Sequence, residues 1–220
     1  GIEDLESILD ECLAAGVFSS YLSWHYRSRH ESLIAFSNHN YYDDSLMTFP
    51  AASNSQSLGV KFKYVEGGVY DRKATRTNAI EAKALVDYIF EALKDPAARK
   101  RTMGAVTFSE AQKNLIEDMI DQRRESDQTF EEYFMSHQDE PFFVKNLENV
   151  QGDERDVILF SVCYAPDATG KFAMNFGPMN RAGGERHLNV AITRAKEQVI
   201  VVSSIHAEQI DLGRTSSIGA

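Results

Sequence analysis

Two largely apolar runs, at residues 157–162 and 198–203, constrain the fold of this chain more than any other feature. Such runs are typical of strands in a parallel sheet that is covered on both faces, whereas half-exposed strands alternate apolar and polar residues. Parallel strands need long crossover connections, which are usually helical. We therefore expect an α/β domain with helices packed on both faces of the sheet.

The remaining pattern alternates strands and helices. Asn78 followed by Glu81, and Ser109 followed by Gln112, have the spacing of capping pairs and predict the starts of two amphipathic helices. A shorter helix is predicted at residues 31–38. Further strands are predicted at 21–26, 60–65, 103–108 and 142–144. We expect the strand at 21–26 to be buried and Trp24 within it to lie in the core, because an aromatic residue beside a buried strand is most often core.

The sequence predicts one domain over residues 1–220, with two segments outside its regular pattern. Residues 1–20 have the periodicity of a leading helix or linker that stops at Gly16. Residues 121–140 are strongly polar and acidic, with a short helix predicted at 130–135. We expect this segment to be a surface insertion outside the core.

Composition limits the possible partners. The formal net charge of −10 argues against blanket neutralisation of a phosphate backbone, so any contact with nucleic acid should be local. The two cysteines and six histidines show no metal-ligand spacing, and no metal site is predicted. No apolar run approaches the roughly 20 residues of a membrane-spanning helix, and no secretory signal is recognisable. A cytoplasmic protein without a membrane partner is expected.

Three segments place charged or polar residues beside predicted strand ends, a common position for ligand sites in open α/β sheets. They lie at residues 22–29, 146–156 and 186–196. Each also has an ordinary explanation when taken alone. Arg27 could be a surface arginine, Gln151 and Gly152 could form a plain turn, and Arg194 could cap a helix C-terminus.

In their order and spacing, these segments resemble motifs IV, V and VI of superfamily I helicases, in the branch that includes the nonsense-mediated-decay helicase. The Tyr26-Arg27 pair resembles the start of motif IV, and Phe36-Ser37-Asn38 with Tyr41-Tyr42 its continuation. Gln151, Gly152, Glu154 and Asp156 resemble the motif V pattern Gln-Gly-x-Glu-x-Asp. Residues 188–195 match the motif VI pattern Leu-Asn-Val-Ala-x-Thr-Arg-Ala at every fixed position. The resemblance covers about residues 20–204.

The resemblance implies a RecA-like domain of the P-loop NTPase type, the second motor half of a helicase. Arg194 is implied as the arginine finger and Arg27 as a second arginine on the γ-phosphate; a guanidinium offers permanent charge and several donors to a phosphoryl group. Glu154 is implied as the acceptor of ribose hydroxyls, with Gln151 and Gly152 beside it. The cofactor would be ATP with Mg²⁺, bound mainly by an N-terminal RecA-like domain as partner.

The same resemblance implies a second site, for single-stranded DNA or RNA. Thr107 and Asn146 are implied to contact phosphate groups, which positions a strand without reading its bases. The family usually has Thr or Ser at the position of Asn146. The choice between DNA and RNA stays open.

The chain has no P-loop of its own. Residues 165–172 imitate one, but Ala165 replaces the first glycine, Pro166 lacks a backbone donor, and Phe172 replaces the hydroxyl residue that would hold magnesium. The isolated chain is therefore predicted to hydrolyse no ATP. The alternative function is a stand-alone RecA-like scaffold or nucleic-acid-binding module without ATPase activity.

Overall fold

The computed structural model describes residues 7–51, 57–180, 183–211 and 213. The α-helices are α1 (Ile8–Ala14), α2 (Ser32–Tyr41), α3 (Ala79–Ala92), α4 (Glu110–Ser126), α5 (Glu131–Ser136) and α6 (Gly184–Ile192). The strands are β1 (Trp24–His25), β2 (Met47–Thr48), β3 (Gly59–Tyr64), β4 (Met103–Thr107), β5 (Phe143–Asn146), β6 (Arg155–Ser161) and β7 (Ala195–Ser203).

Strands β3 to β7 form one five-stranded sheet in the order β3-β7-β6-β4-β5, and every pairing in it is parallel. The apolar runs at 157–162 and 198–203 correspond to β6 and β7, inner strands with most of their residues buried. The predicted α/β fold class is confirmed. The fold follows from the sequence pattern, since inner parallel strands require apolar side chains on both faces.

The sheet separates two hydrophobic cores. Successive residues of β6 alternate between them: Leu159 packs with α3 and α4 on one face, and Ile158 and Phe160 pack with α2 and α6 on the other. Leu33 of α2 and Leu188 of α6 belong to the second core. Helices therefore cover both faces, as predicted.

Both predicted helix starts are confirmed. The Asn78 side chain accepts a hydrogen bond from the Glu81 backbone N–H, and the Ser109 hydroxyl accepts one from the Gln112 N–H. The Glu81 and Gln112 side chains do not close a reciprocal capping box; both are fully buried in longer-range contacts. A capping pair thus starts each helix and also ties it to the sheet.

The prediction of a surface insertion at 121–140 is wrong in part. Helix α4 continues through Ser126, and Phe130 and Tyr133 are buried in the core that also contains Phe90. The Tyr133 hydroxyl donates to the carbonyl of Arg101 at 3.0 Å. The polar composition misled the prediction, because the acidic residues cover the outside of a segment whose few aromatic side chains are buried.

The predicted buried strand at 21–26 is also wrong. Only Trp24 and His25 are in a strand, β1, which pairs with β2 outside the main sheet. Trp24 is 50% exposed and stacks on Phe49 with ring centroids 5.1 Å apart, so it is not core. The apolar residues of this segment match a buried strand in composition, but they lie outside the main sheet and most of them are exposed.

The leading segment contains α1, which has no buried residue; residues 1–6 lie outside the described part. Among the described helices, none has the length and apolar character needed to cross a bilayer. In the same ranges, no group of three or more His, Cys, Asp or Glu residues is arranged to hold a metal ion.

Candidate functional site

The amino edge of the sheet brings two of the three motif segments together. Glu154 directly precedes β6 and Arg194 directly precedes β7, and these strands are parallel neighbours. Arg155 is in register with Ala195, and its N–H donates to the carbonyl of Arg194 at 3.1 Å. Glu154 and Arg194 are therefore adjacent, although 40 positions separate them in the chain.

The third segment reaches the same edge from the other end of the chain. The Arg29 N–H donates to the Lys196 carbonyl at 2.7 Å, which fixes this segment beside the start of β7. Arg27 Nε lies 3.1 Å from Glu154 Oε2, and both side chains are about a third to two-fifths exposed (35% and 41%). We call Arg27, Glu154 and Arg194 the arginine–glutamate rim.

Arg194 is held firmly within the rim. Its Nε donates to the Val190 carbonyl at 2.8 Å, and its Nη2 donates to the Thr193 hydroxyl at 3.3 Å, so the guanidinium lies at the C-terminal end of α6. This is the favourable end for a cation. Among the described residues, Nη1 makes no hydrogen bond. The helix-capping and functional interpretations of Arg194 are therefore compatible.

Neighbouring groups shift the pKa values of side chains at the rim. Partial burial, and then the neighbouring Arg27 cation, lower the pKa of Arg194 from its usual value, while Glu154 opposes the shift. Burial and Arg27 likewise lower the pKa of His25. Asp153 opposes the shift of Arg194 as well, so the two guanidinium groups share this edge with two carboxylates.

Gln151 and Gly152 form the turn that leads into β6. Gly152 has φ +89°, a conformation that L-residues rarely adopt, and no atom lies within 4 Å of the position of an added Cβ. The glycine is thus needed here for its backbone conformation. Gln151 is exposed.

The rim lies at the amino ends of its strands. Ligands in open α/β sheets usually bind outside the carboxyl ends of the strands. Glu154 and Arg194 instead precede β6 and β7 and lie at the amino ends. This agrees with the sequence, in which both residues come just before the strands predicted at 157–162 and 198–203.

Thr107 and Asn146 lie at the other edge, at the carboxyl ends of β4 and β5, where they are register partners. Thr107 is fully buried, and its hydroxyl donates to the Ser109 carbonyl at 2.8 Å. Asn146 is 9% exposed; its Nδ2 donates to Glu110 at 2.7 Å and its Oδ1 accepts from the Asn149 N–H. The structure brings the pair together, and their contact with nucleic acid stays a prediction.

Beside the rim is a cleft of about 530 Å³ that the sequence did not predict. Tyr26, Arg27 and Tyr42 line one part of it, and Leu9 and Leu13 of α1 line another. Leu9 and Leu13 are one helical turn apart, so their spacing predicts that they share one face of a helix. The spacing does not predict which part of the protein that face contacts. The leading segment therefore contributes to the surroundings of the rim.

The all-parallel five-stranded sheet with helices on both faces is the α/β fold expected of a RecA-like domain of the P-loop NTPase type. The chain belongs to the AAA domain family, whose family model matches residues 5–206.

Two similar proteins are uncharacterized ATP-dependent helicases. One, from Mycoplasma genitalium, is 34% identical over 207 residues, and the other, from Mycoplasma pneumoniae, is 33% identical over 203 residues. Each alignment covers 90% of this chain and 17% of the relative, so the chain spans about a sixth of the length of either helicase. A solved structure, the C-terminal domain of a possible DNA helicase from Lactobacillus plantarum, aligns with a TM-score of 0.44 and 12% identity. That alignment covers 81% of this chain and 88% of the other.

Proposed function

We propose that this chain is the C-terminal motor half of an ATP-dependent superfamily I helicase, in the branch that resembles the nonsense-mediated-decay helicase. In this proposal ATP binds between this domain and an N-terminal RecA-like domain, and Arg194 and Arg27 contact its γ-phosphate. Glu154 accepts hydrogen bonds from the ribose. Single-stranded DNA or RNA is the other partner.

The meeting of Arg27, Glu154 and Arg194 is the observation that supports the proposal most strongly. They come from three distant segments, and a scaffold has no need to collect them on one partly exposed rim. Their position at the amino edge suits groups that complete a site held by another domain. Arg194 Nη1 is a free donor among the described contacts, and a planar cation is well suited to the charge that accumulates during phosphoryl transfer.

The rim suits phosphate oxygens better than a metal ion. Magnesium is held by carboxylates, hydroxyls and water together with substrate phosphates. Within the described residues there is no group of three or more potential ligands, and Glu154 is already paired with Arg27. The Mg²⁺ that accompanies ATP is therefore assigned to the N-terminal domain.

The test is nucleic-acid-stimulated ATPase activity of the full-length protein that carries this chain. Arg194→Ala should lower kcat by about 10³-fold or more, as expected for loss of an arginine finger. Arg29→Ala is the matched control: Arg29 is also ion-paired near this edge, to Glu197, but lies outside the rim. It should keep kcat within about threefold of the wild type.

Two results would oppose the proposal. ATPase activity retained in Arg194→Ala would remove the arginine from the mechanism. A full-length sequence without a GxxxxGK[ST] segment would favour the alternative of a RecA-like scaffold or binding module without ATPase activity.

A further inference from the structure

Most basic side chains of this protein are engaged with neighbouring groups. Across the described ranges, the lysine and arginine side chains that make no hydrogen bond, ion pair or ring contact are Arg72, Lys73, Arg76, Lys171, Lys61 and Lys100. The first four lie on two loops that meet at one end of the sheet. These four cations are therefore grouped in one place, although the chain as a whole has a net charge of −10.

The first of these loops, which follows β3, is held in shape by hydrogen bonds within the loop. The Asp71 carboxylate accepts hydrogen bonds from the backbone N–H groups of Lys73, Ala74 and Thr75. The Arg76 N–H donates to the Asp71 carbonyl at 2.7 Å, which closes the turn. These hydrogen bonds lower the pKa of Asp71, and the backbone N–H groups of Thr75 and Ala74 have the largest effect. Its charge is therefore engaged by the loop backbone.

The second loop, which follows β6, is built in the same way. The Asp167 carboxylate accepts hydrogen bonds from the Thr169 hydroxyl and from the N–H groups of Thr169 and Lys171. The Tyr70 N–H donates to the Pro166 carbonyl at 3.2 Å, which joins the two loops. A cleft of about 490 Å³ between them is lined by Arg72, Lys73 and Lys171, among others. The four cations of the two loops thus outnumber their three acidic residues, Glu66, Asp71 and Asp167. The Thr169 hydroxyl lowers the pKa of Asp167 most, and Arg72 lies near enough to lower the pKa of that carboxyl further.

The loops lie at the same edge as Thr107 and Asn146, because β3 and β6 are parallel to β4 and β5. A chain of contacts connects them. The Cys163 thiol lies 4.0 Å from the Arg76 carbonyl, and the Ser109 hydroxyl donates to that thiol at 3.7 Å. Thr107 in turn donates to the Ser109 carbonyl. The basic loops therefore continue the carboxyl edge beyond the predicted nucleic-acid residues.

We infer that Arg72, Lys73, Arg76 and Lys171 form a binding surface for the phosphate backbone of single-stranded nucleic acid. The inference rests on the proposed function and deepens it, since it adds a charged surface to a track otherwise represented by two buried polar residues. Side-chain cations that make no hydrogen bond or ion pair with the protein bind phosphates without sequence preference, and loops held by internal hydrogen bonds reduce the entropy that binding costs.

The test uses the full-length protein, fluorescent oligothymidylate and oligouridylate, and affinity measured over a range of salt concentrations. The variant changes Arg72, Lys73, Arg76 and Lys171 together to glutamine. The slope of log affinity against log salt should become shallower by about 0.7 for each phosphate group that the variant no longer neutralises on a single strand. If only two of the four cations bind phosphates, affinity at about 0.1 M salt should still fall about 20-fold or more.

A matched control removes the same charge elsewhere by changing Lys61, Lys83, Lys94 and Lys100 to glutamine. Lys83 and Lys94 make exposed ion pairs within or beside α3. This control should keep the salt slope within about 0.7 of the wild type, which separates a local surface from a change in net charge. Both variants should unfold at nearly the wild-type temperature, because the substituted side chains make at most exposed contacts.

The outcomes separate this inference from the proposed function. Binding by the loop variant with the affinity and salt slope of the wild type would overturn the surface assignment and leave the ATPase proposal intact. Equal decreases in affinity in the loop variant and the control would also overturn it. Absence of oligonucleotide binding by the wild type would overturn the nucleic-acid part of both.

Discussion

Glu81 provides a sharp test of how this domain is held together. Its side chain is fully buried on α3. One carboxylate oxygen accepts from the Cys163 N–H at 2.6 Å and the Ser161 hydroxyl at 2.8 Å. The other accepts from the N–H of Ser204 at 3.0 Å and from its hydroxyl at 2.9 Å. The carboxylate therefore ties α3 to the carboxyl ends of β6 and β7.

Glu81→Gln keeps the shape of this side chain, but the amide cannot accept all the hydrogen bonds that the carboxyl group accepts. Each carboxylate oxygen accepts one backbone N–H, so the amide NH₂ must face a donor in either orientation. A serine hydroxyl can rotate to accept, but a backbone N–H cannot. One buried unsatisfied N–H costs about 1–3 kcal/mol, and the amide hydrogen that faces it also lacks an acceptor, which adds to this cost. We expect the free energy of unfolding to fall by about 2–4 kcal/mol.

The assay is urea and thermal unfolding followed by circular dichroism. For a chain of this size, a decrease of that magnitude corresponds to a decrease in Tm of about 5–15 °C. Glu91→Gln is the control, because Glu91 lies on the same helix in an exposed ion pair with Lys94 and should change stability by less than about 1 kcal/mol. A Glu81→Gln protein as stable as the Glu91→Gln protein would refute the reasoning.

Three further predictions concern stability. Phe130→Ala should lower the free energy of unfolding by about 3–5 kcal/mol, whereas Met135→Ala, at a side chain that is 62% exposed, should change it by less than about 0.5 kcal/mol in urea titrations; equal effects would contradict burial of the 121–140 segment. Gly104→Ala would place a Cβ 2.5 Å from the Phe143 ring and should cost about 1–3 kcal/mol by the same measurement, and an unchanged midpoint would contradict this packing. Burial raises the pKa of Glu81 in the folded protein above its value in the unfolded chain. The folded protein therefore gains stability from protonated Glu81. This stabilisation is complete below the unfolded pKa and is lost as pH rises through the folded pKa. The stability difference between wild type and Glu81→Gln should therefore decrease as pH rises through that window, and a difference that grows with pH would contradict the direction of the shift.

Much of the fold could be predicted from local sequence. The apolar runs that form β6 and β7 and the caps at Asn78 and Ser109 were recognisable because their signals depend on neighbours a few positions away. The members of the candidate site were also identifiable, since Arg27, Glu154 and Arg194 lie in segments that resemble helicase motifs. Their meeting on one rim was expected, and the structure brings them together.

Other features depended on contacts between distant parts of the chain. Composition indicated that residues 121–140 were external and that Trp24 was core, and both were wrong because burial depends on which surface packs against a segment. Leu9 and Leu13 gave no sign that α1 would border the rim cleft. The unpaired cations on the β3 and β6 loops could not be recognised either, because the sequence does not show which basic residues have acidic partners.

The sequence by itself determined the elements of this protein: an α/β domain with a mostly parallel sheet, three motif segments and no P-loop of its own. Periodicity and capping are set by residues within one or two turns, so they can be read along the chain. Only the tertiary structure decided that the segment of Arg27 reaches Glu154 at the amino edge and that Thr107 and Asn146 are register partners at the carboxyl edge. Strand direction and order place those residues, and both are fixed by packing of the two cores against the sheet.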